Sequence, residues 1–96
     1  MAWTIEYDSR VVKDMRKLDR QAQQHIIAYF DERIALSSDP RASGKPLESS
    51  FSGLWRYRIG DYRAICRIED EHMVVLVVHV AHRSKVYKKR LKKGAT

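Results

Sequence analysis

The sequence predicts a single α+β domain, residues 1–96, in which a hairpin of two helices covers one face of a twisted, mainly antiparallel four-stranded sheet. Three observations support this prediction. The chain has 96 residues, too few to supply two domains with useful cores. A segment that alternates apolar and polar residues comes first, and two segments with helical spacing follow it. Three more strand-like segments and a short C-terminal segment complete the order β-α-α-β-β-β.

The first half of the chain predicts one strand and two helices. Residues 3–7, WTIEY, alternate apolar and polar side chains, the pattern of a half-buried strand. Ser9 is the expected N-cap of the first helix and Asp19 that of the second, which ends before Pro40. The apolar stripes that should face the sheet are Val11, Val12, Met15 and Leu18 in the first helix, and Ile26, Ile27, Phe30 and Ile34 in the second.

The second half predicts a loop and then three strands. Residues 37–53 are rich in Ser, Gly and Pro, which indicates a loop. Gly60 and Asp61 form a two-residue turn between the first two of the remaining strands. Those strands are predicted at 54–59, 62–68 and 73–81. Because the helix hairpin covers one face of the sheet, the other face is expected to be open.

Four arginines in the segment LWRYRIGDYRAICRI are predicted to lie on that open face. Side chains alternate along a strand, so Arg56 shares one side with Arg58, and Arg63 shares one side with Arg67. The tight turn should bring Arg58 next to Arg63. Like charges at that distance repel each other, and an anion between them would relieve the repulsion. The expected anion is a phosphate. Trp55, Tyr57, Ile59, Ala64, Cys66 and Ile68 point the other way, toward the core.

The charge of the chain is distributed unevenly. Residues 1–50 hold eight basic and eight acidic residues, whereas residues 51–96 hold eleven basic and four acidic ones. The whole net charge of +7 therefore lies in the half that contains the arginines. Such asymmetry points to a polyanionic partner, either nucleic acid or the ribosome. The alternative is a solvated basic surface that only keeps the protein soluble.

Other classes of protein fit the sequence poorly. The longest apolar run, Met73–Val78, is far shorter than the ~20 residues that a membrane-spanning helix needs. Glu6 and Asp8 do not fit an export signal. A single cysteine, Cys66, excludes an internal disulfide, and the four histidines lack metal-ligand spacing. We therefore expect a cytoplasmic protein with no metal, no other cofactor and no membrane partner.

Three segments carry a resemblance to a known family. GKPLE, GLWRYRIGDYRAI and VAHRSKVY resemble the RelE/ParE superfamily of toxins from bacterial toxin–antitoxin pairs, and are closest to its RelE-type branch. The resemblance covers nearly the whole chain. It implies a RelE-like fold and an mRNA interferase, an endoribonuclease that cuts messenger RNA on the ribosome without a metal ion and so inhibits translation.

The same resemblance implies partners and leaves alternatives open. The implied partners are an acidic cognate antitoxin, messenger RNA and ribosomal RNA, with operator DNA reached only through the antitoxin. Members of the ParE branch use this fold to poison DNA gyrase, so a binding-only toxin is one alternative. A ribosome-associated protein without catalytic activity is the other.

The resemblance also assigns roles to residues. Arg63 of DYR matches the arginine that holds the scissile phosphate, and Arg56 and Arg58 match basic residues around the reacting centre. Tyr87 of SKVY matches the tyrosine that activates the attacking 2′-hydroxyl. The basic residue near the end of the last strand corresponds to Arg83 or His82. The remaining cations are expected to bind RNA or the ribosome: Arg67, Lys85, Lys88, Lys89, Arg90, Lys92 and Lys93.

Chemistry requires the same kinds of group. RNA cleavage without a metal ion needs a proton acceptor for the 2′-hydroxyl, cations around the phosphorane and a proton donor for the leaving 5′-oxygen. Arginines stabilise a phosphorane through bidentate contacts. The donor is open between two residues. His82 releases protons near neutral pH, whereas Arg83 stabilises charge on the leaving oxygen but barely releases a proton.

Overall fold

The computed structural model describes residues 2–47 and 53–85 as a mixed sheet with two helices on one face. Its strands are β1 (Thr4–Tyr7), β2 (Lys45–Pro46), β3 (Leu54–Ile59), β4 (Tyr62–Glu69) and β5 (Val74–His82), and its helices are α1 (Ser9–Arg16) and α2 (Arg20–Tyr29). The strand order is β1-β5-β4-β3-β2, and in the described part of the chain only β1 and β5 run parallel. The predicted α+β class is confirmed.

The sheet has one strand more than the sequence predicted. Lys45–Pro46 lies inside the predicted loop 37–53 and pairs with β3 in antiparallel fashion. The Leu47 N–H extends this pairing by donating to the carbonyl of Leu54 over 3.0 Å. Because β2 is an edge strand, its proline leaves no ladder hydrogen bond unmade. Two residues are too few to show the alternation by which strands are predicted.

The caps of the helices were predicted with one error. Asp19 caps α2 as expected, since its carboxylate accepts from the Ala22 N–H over 2.7 Å. At α1 the cap is Asp8, which accepts from the Arg10 N–H over 2.9 Å, and Ser9 is the first helical residue. Both residue types make good caps. Asp8 takes the role because it still has the extended backbone of the strand before it.

The core lies between the helices and the inner face of the sheet. α2 ends at Tyr29, and one π-helical turn, Phe30–Ile34, continues its inward face. The predicted inner residues Tyr57, Ile59, Ala64, Cys66 and Ile68 are buried, and Trp55 packs against them half-exposed. Two predicted members of the apolar stripes, Val12 and Ile27, are instead 48% and 43% exposed.

Asp14 completes the edge of the central strand. β1 ends at Tyr7, opposite Val77, so the next residues of β5 have no strand on that side. The buried carboxylate of Asp14 takes the place of a neighbouring strand there. It accepts from the Val80 N–H over 3.1 Å and lies 2.9 Å from Nδ1 of His79. Both partners are buried. α1 is thereby fixed to β5 by hydrogen bonds as well as by apolar packing.

Alkaline pH should destabilise this fold. Burial raises the pKa of Tyr7 to about 12, and it also raises the pKa values of Tyr57 and the Cys66 thiol. The unfolded chain releases these protons near pH 9–10, where the folded chain still holds them. Stability present below about pH 9 is therefore lost as the pH rises. The buried thiol alone contributes up to about 1.4 kcal/mol per pH unit.

Urea unfolding between pH 7 and 11 measures this effect. The free energy of unfolding should fall steadily above pH 9, and Cys66→Ala should make the fall shallower. A free energy that stays constant up to pH 11 would contradict the prediction.

Candidate active site

The four arginines of the hairpin share the sheet face opposite the helices. Arg58 pairs directly with Arg63 across β3 and β4, as the sequence predicted, and Arg56 and Arg67 occupy positions of the same parity. We call Arg56, Arg58, Arg63 and Arg67 the arginine face. The pairing also adds a cation that sequence reasoning missed. Lys45 of β2 lies opposite Arg56 of β3. Its position could not be predicted because β2 itself was not predicted.

The expectation that this face is open is wrong at its centre. Ile65 is fully buried there, with Leu47, Leu54, Val78 and Ala81 packed against it. Arg63 is only 8% exposed. This face of the sheet therefore has a second, smaller apolar cluster, and the side chains of the arginine face lie around it. Arg56 is half-buried, whereas Arg58 and Arg67 are exposed.

Arg63 is fixed to the hairpin turn. Its Nη1 donates to the carbonyl of Gly60 over 2.9 Å and to that of Tyr62 over 2.8 Å. Gly60 has a φ of +59°, which is the glycine conformation of a two-residue hairpin turn. The guanidinium is thus held in one orientation next to the exposed side chain of Arg58. Such preorganisation is what a phosphate-binding arginine requires.

A β-bulge decides which residues of β5 reach the arginine face. The register between β4 and β5 shifts at Ile65/Cys66, so one extra residue lies on β5. Beyond the bulge Ala81 pairs with Arg63, and His82 pairs with Tyr62. The ring of His82 meets the Tyr62 ring edge-on, with centroids 5.7 Å apart. His82 is therefore on the helix side, and the structure does not bring it to the arginine face.

His82 is also held in one tautomer. Its Nδ1 accepts from the Ser84 N–H over 3.2 Å and lies 2.9 Å from the Ser84 hydroxyl. A backbone N–H can only donate, so Nδ1 carries no proton and the proton is on Nε2.

Arg83 lies at the same turn as Arg63. Its N–H donates to the carbonyl of Asp61 over 2.8 Å, and its side chain is exposed. Arg63 on β4 and Arg83, the residue after β5, are thus both anchored to the Gly60–Asp61 turn. Arg67 lies four residues beyond Arg63 on β4, about 13 Å away at the rise of a strand. The cluster around the turn therefore comprises Arg58, Arg63 and Arg83.

Part of the predicted site lies outside the described residues. These are Tyr87 and the basic residues Lys88, Lys89, Arg90, Lys92 and Lys93. Lys85 is described and exposed, and its N–H donates to the carbonyl of His82 over 2.8 Å. Within residues 2–47 and 53–85, no three His, Cys, Asp or Glu side chains come together as metal ligands. None of the helices in this part of the chain is long and apolar enough to cross a membrane.

Known proteins resemble this chain in sequence. The chain is 31% identical over 90 residues to toxin RelG of Mycobacterium tuberculosis, covering 93% of this chain and 100% of RelG. It is 42% identical over 53 residues to toxin RelE of the same organism, covering 55% of each. Residues 5–87 match the family model of the ParE toxin of the type II toxin–antitoxin system parDE.

Solved structures agree with these matches. The toxin–antitoxin complex RelBE2 from Mycobacterium tuberculosis contains a chain that superposes with a TM-score of 0.80 at 27% identity, covering 88% of this chain and 95% of that one. A mutant of the E. coli toxin RelE in the free state gives 0.71 at 25% identity, covering 97% and 98%. The chain belongs to the RelE/ParE superfamily of toxins from type II toxin–antitoxin systems.

Proposed function

We propose that this toxin is an endoribonuclease that cuts ribosome-bound messenger RNA by attack of a 2′-hydroxyl on the adjacent phosphate. The observation that carries the proposal is the direct pairing of Arg58 with Arg63, whose guanidinium is fixed to the hairpin turn. Two like charges in direct cross-strand positions destabilise a sheet unless an anion lies between them. A phosphorane, with its added negative charge, is bound more tightly there than the phosphate from which it forms.

The candidate site residues have proposed roles in this reaction. The bond from the 2′-oxygen to phosphorus forms, the proton of the hydroxyl passes to the phenolate oxygen of Tyr87, and the bond to the 5′-oxygen breaks. Arg58 and Arg63 hold the phosphorane oxygens, and Arg56 adds positive charge. The position and tautomer of His82 favour Arg83 as the group that stabilises the leaving 5′-oxygen. Water then supplies the proton that this oxygen takes up.

The proposed partners follow from the charge and from the relatives. An acidic cognate antitoxin would neutralise the arginine face, and the solved RelBE2 structure is a toxin–antitoxin complex. Operator DNA would be reached only through that antitoxin. The other partners are messenger RNA and ribosomal RNA in the cytoplasm, bound with the help of Arg67, Lys85 and the five cations beyond Tyr87. A neutralised complex that left the arginine face accessible would contradict the role given to the antitoxin.

A second candidate is binding and poisoning of DNA gyrase. The match of residues 5–87 to the ParE family model favours it. Such a toxin acts by occupying its target, so it needs neither a fixed phosphate-binding arginine nor a proton acceptor. The two candidates therefore predict different products.

End-group analysis of single-turnover reactions on ribosome-bound message separates the candidates. We expect a 2′,3′-cyclic phosphate on the upstream fragment and a 5′-hydroxyl on the downstream one. Tyr87→Phe keeps the ring but lacks the hydroxyl, and it should cut at least about 10²-fold more slowly. Intact message together with inhibition of gyrase supercoiling would instead support the second candidate.

A further inference from the structure

A cleft lies on the helix side of the sheet, opposite the arginine face. It has a volume of about 500 Å³ and separates the end of α1 from the end of β5. Its size falls in the range of small-molecule sites, about 300–1,000 Å³. The lining residues that matter here are Lys17, Tyr62, His79, His82, Ser84 and Lys85.

The cleft attracts negative charge. Lys17 and Lys85 are exposed at its rim, and neither makes an ion pair with a described carboxylate. Asp14 is the acidic residue of the lining, and its carboxylate already contacts His79 and the Val80 N–H. Gln23 donates to two carbonyls at the end of α1 over 2.7 and 3.0 Å, so the helix end presents fewer free acceptors.

The interior of the cleft fits a planar ring with polar edges. The edge-to-face contact of Tyr62 with His82 leaves an aromatic surface at the lining. His82 carries its proton on Nε2, which makes this atom a donor. Nδ1 of His79 lies 2.9 Å from the Asp14 carboxylate, and Nε2 of the same ring is buried without a hydrogen-bond partner in the described part of the chain. A nucleotide has the phosphate, the aromatic base and the base edge that such groups recognise.

We propose that this cleft binds one nucleotide of the RNA strand whose scissile phosphate lies on the arginine face, an inference that rests on the proposed function. Tyr62 and Arg63 are consecutive residues of β4 and point to opposite faces of the sheet. The RNA backbone would pass the end of the sheet from the arginine face to the cleft. The phosphate would lie between Lys17 and Lys85, and the base would lie against Tyr62.

The salt dependence of RNA binding tests whether Lys17 contacts a phosphate. A short single-stranded oligoribonucleotide is titrated with the free toxin over a range of salt concentrations. Lys17→Gln should weaken binding and flatten the logarithmic salt slope by about 0.7, the value for one phosphate contact with a single strand. Lys13→Gln is the matched control, because Lys13 is an exposed lysine one turn earlier on α1 and outside the cleft. Equal slopes for the two variants would overturn the proposal.

Substitution of Tyr62 tests the stacking surface. Tyr62→Leu should weaken oligoribonucleotide binding about tenfold, whereas Tyr62→Phe should retain most of the affinity because it retains the ring. Thermal unfolding of both variants shows that they are folded at the temperature of the titration. Wild-type affinity for Tyr62→Leu would overturn the proposal, as would the absence of saturable binding by the wild type.

Cleavage assays with the same variants separate this proposal from the nuclease proposal. If binding depends on Lys17 and Tyr62 but no message is cut, the cleft is an RNA site and the nuclease proposal fails. If message is cut and Lys17→Gln and Tyr62→Leu bind RNA normally, the nuclease proposal stands and the cleft proposal fails.

Discussion

Arg63→Ala is expected to slow single-turnover cleavage about 10²–10³-fold, the effect of losing one charge-assisted contact in the transition state. The structure adds a second effect that the sequence did not predict. On the sequence, Arg63 was expected on the open face of the sheet. It is buried, and it donates to the carbonyls of Gly60 and Tyr62. Loss of these two hydrogen bonds should lower the free energy of unfolding by about 1–3 kcal/mol.

Arg58→Ala is the control that separates the two effects. Arg58 is the exposed partner of Arg63 in the same pair, so its loss should slow cleavage while stability changes by no more than about 0.5 kcal/mol. Urea unfolding gives the stability of each variant, and cleavage is measured where all of them are folded. If Arg63→Ala cut at the wild-type rate, Arg63 would only stabilise the turn.

Asp14→Ala is expected to have the largest effect on stability, a loss of about 3–5 kcal/mol, because it removes one member of a buried pair. His79 would keep a buried Nδ1 and Val80 a buried N–H without their shared acceptor. Asp14→Asn should cost less, since its amide oxygen still accepts from the Val80 N–H and the His79 tautomer can change.

Chemical denaturation of both Asp14 variants measures this effect. Asp19→Ala is a useful comparison, because it removes an exposed helix cap and should cost only about 1 kcal/mol. A loss as small as this in Asp14→Ala would mean that another group accepts the hydrogen bond of the Val80 N–H at the edge of β5.

The fold could be predicted where segments are long and periodic. The alternation of β3 and β4 gave the correct class and the correct inner face of the sheet, and of the apolar positions predicted for the second helix only Ile27 is exposed. β2 could not be predicted, since Lys45 and Pro46 have no pattern of their own and become a strand only by pairing with β3. The cap of α1 was ambiguous because Asp8 and Ser9 are both good caps.

The candidate site could be predicted only as far as side-chain parity extends. Parity placed Arg58 beside Arg63 because no irregularity separates them. On β5 the bulge opposite Ile65/Cys66 reverses parity, and it turns His82 toward the helices. No property of the sequence marks that extra residue. The burial of Arg63 was missed for a related reason, since it depends on hydrogen bonds to the backbone of the turn.

The parallel pairing of β1 with β5 has a consequence for how the toxin comes into being. Thr4 pairs with Val74, so β1, the first strand to leave a translating ribosome, can pair only after β5 has also been synthesised. A nascent chain that ends before β5 lacks the strand that β1 and β4 both pair with. Pairing across so long a separation is also slow to form, because the loop must close first. We therefore expect products truncated before β5 not to be toxic, and an antitoxin already present can bind each complete molecule as it folds.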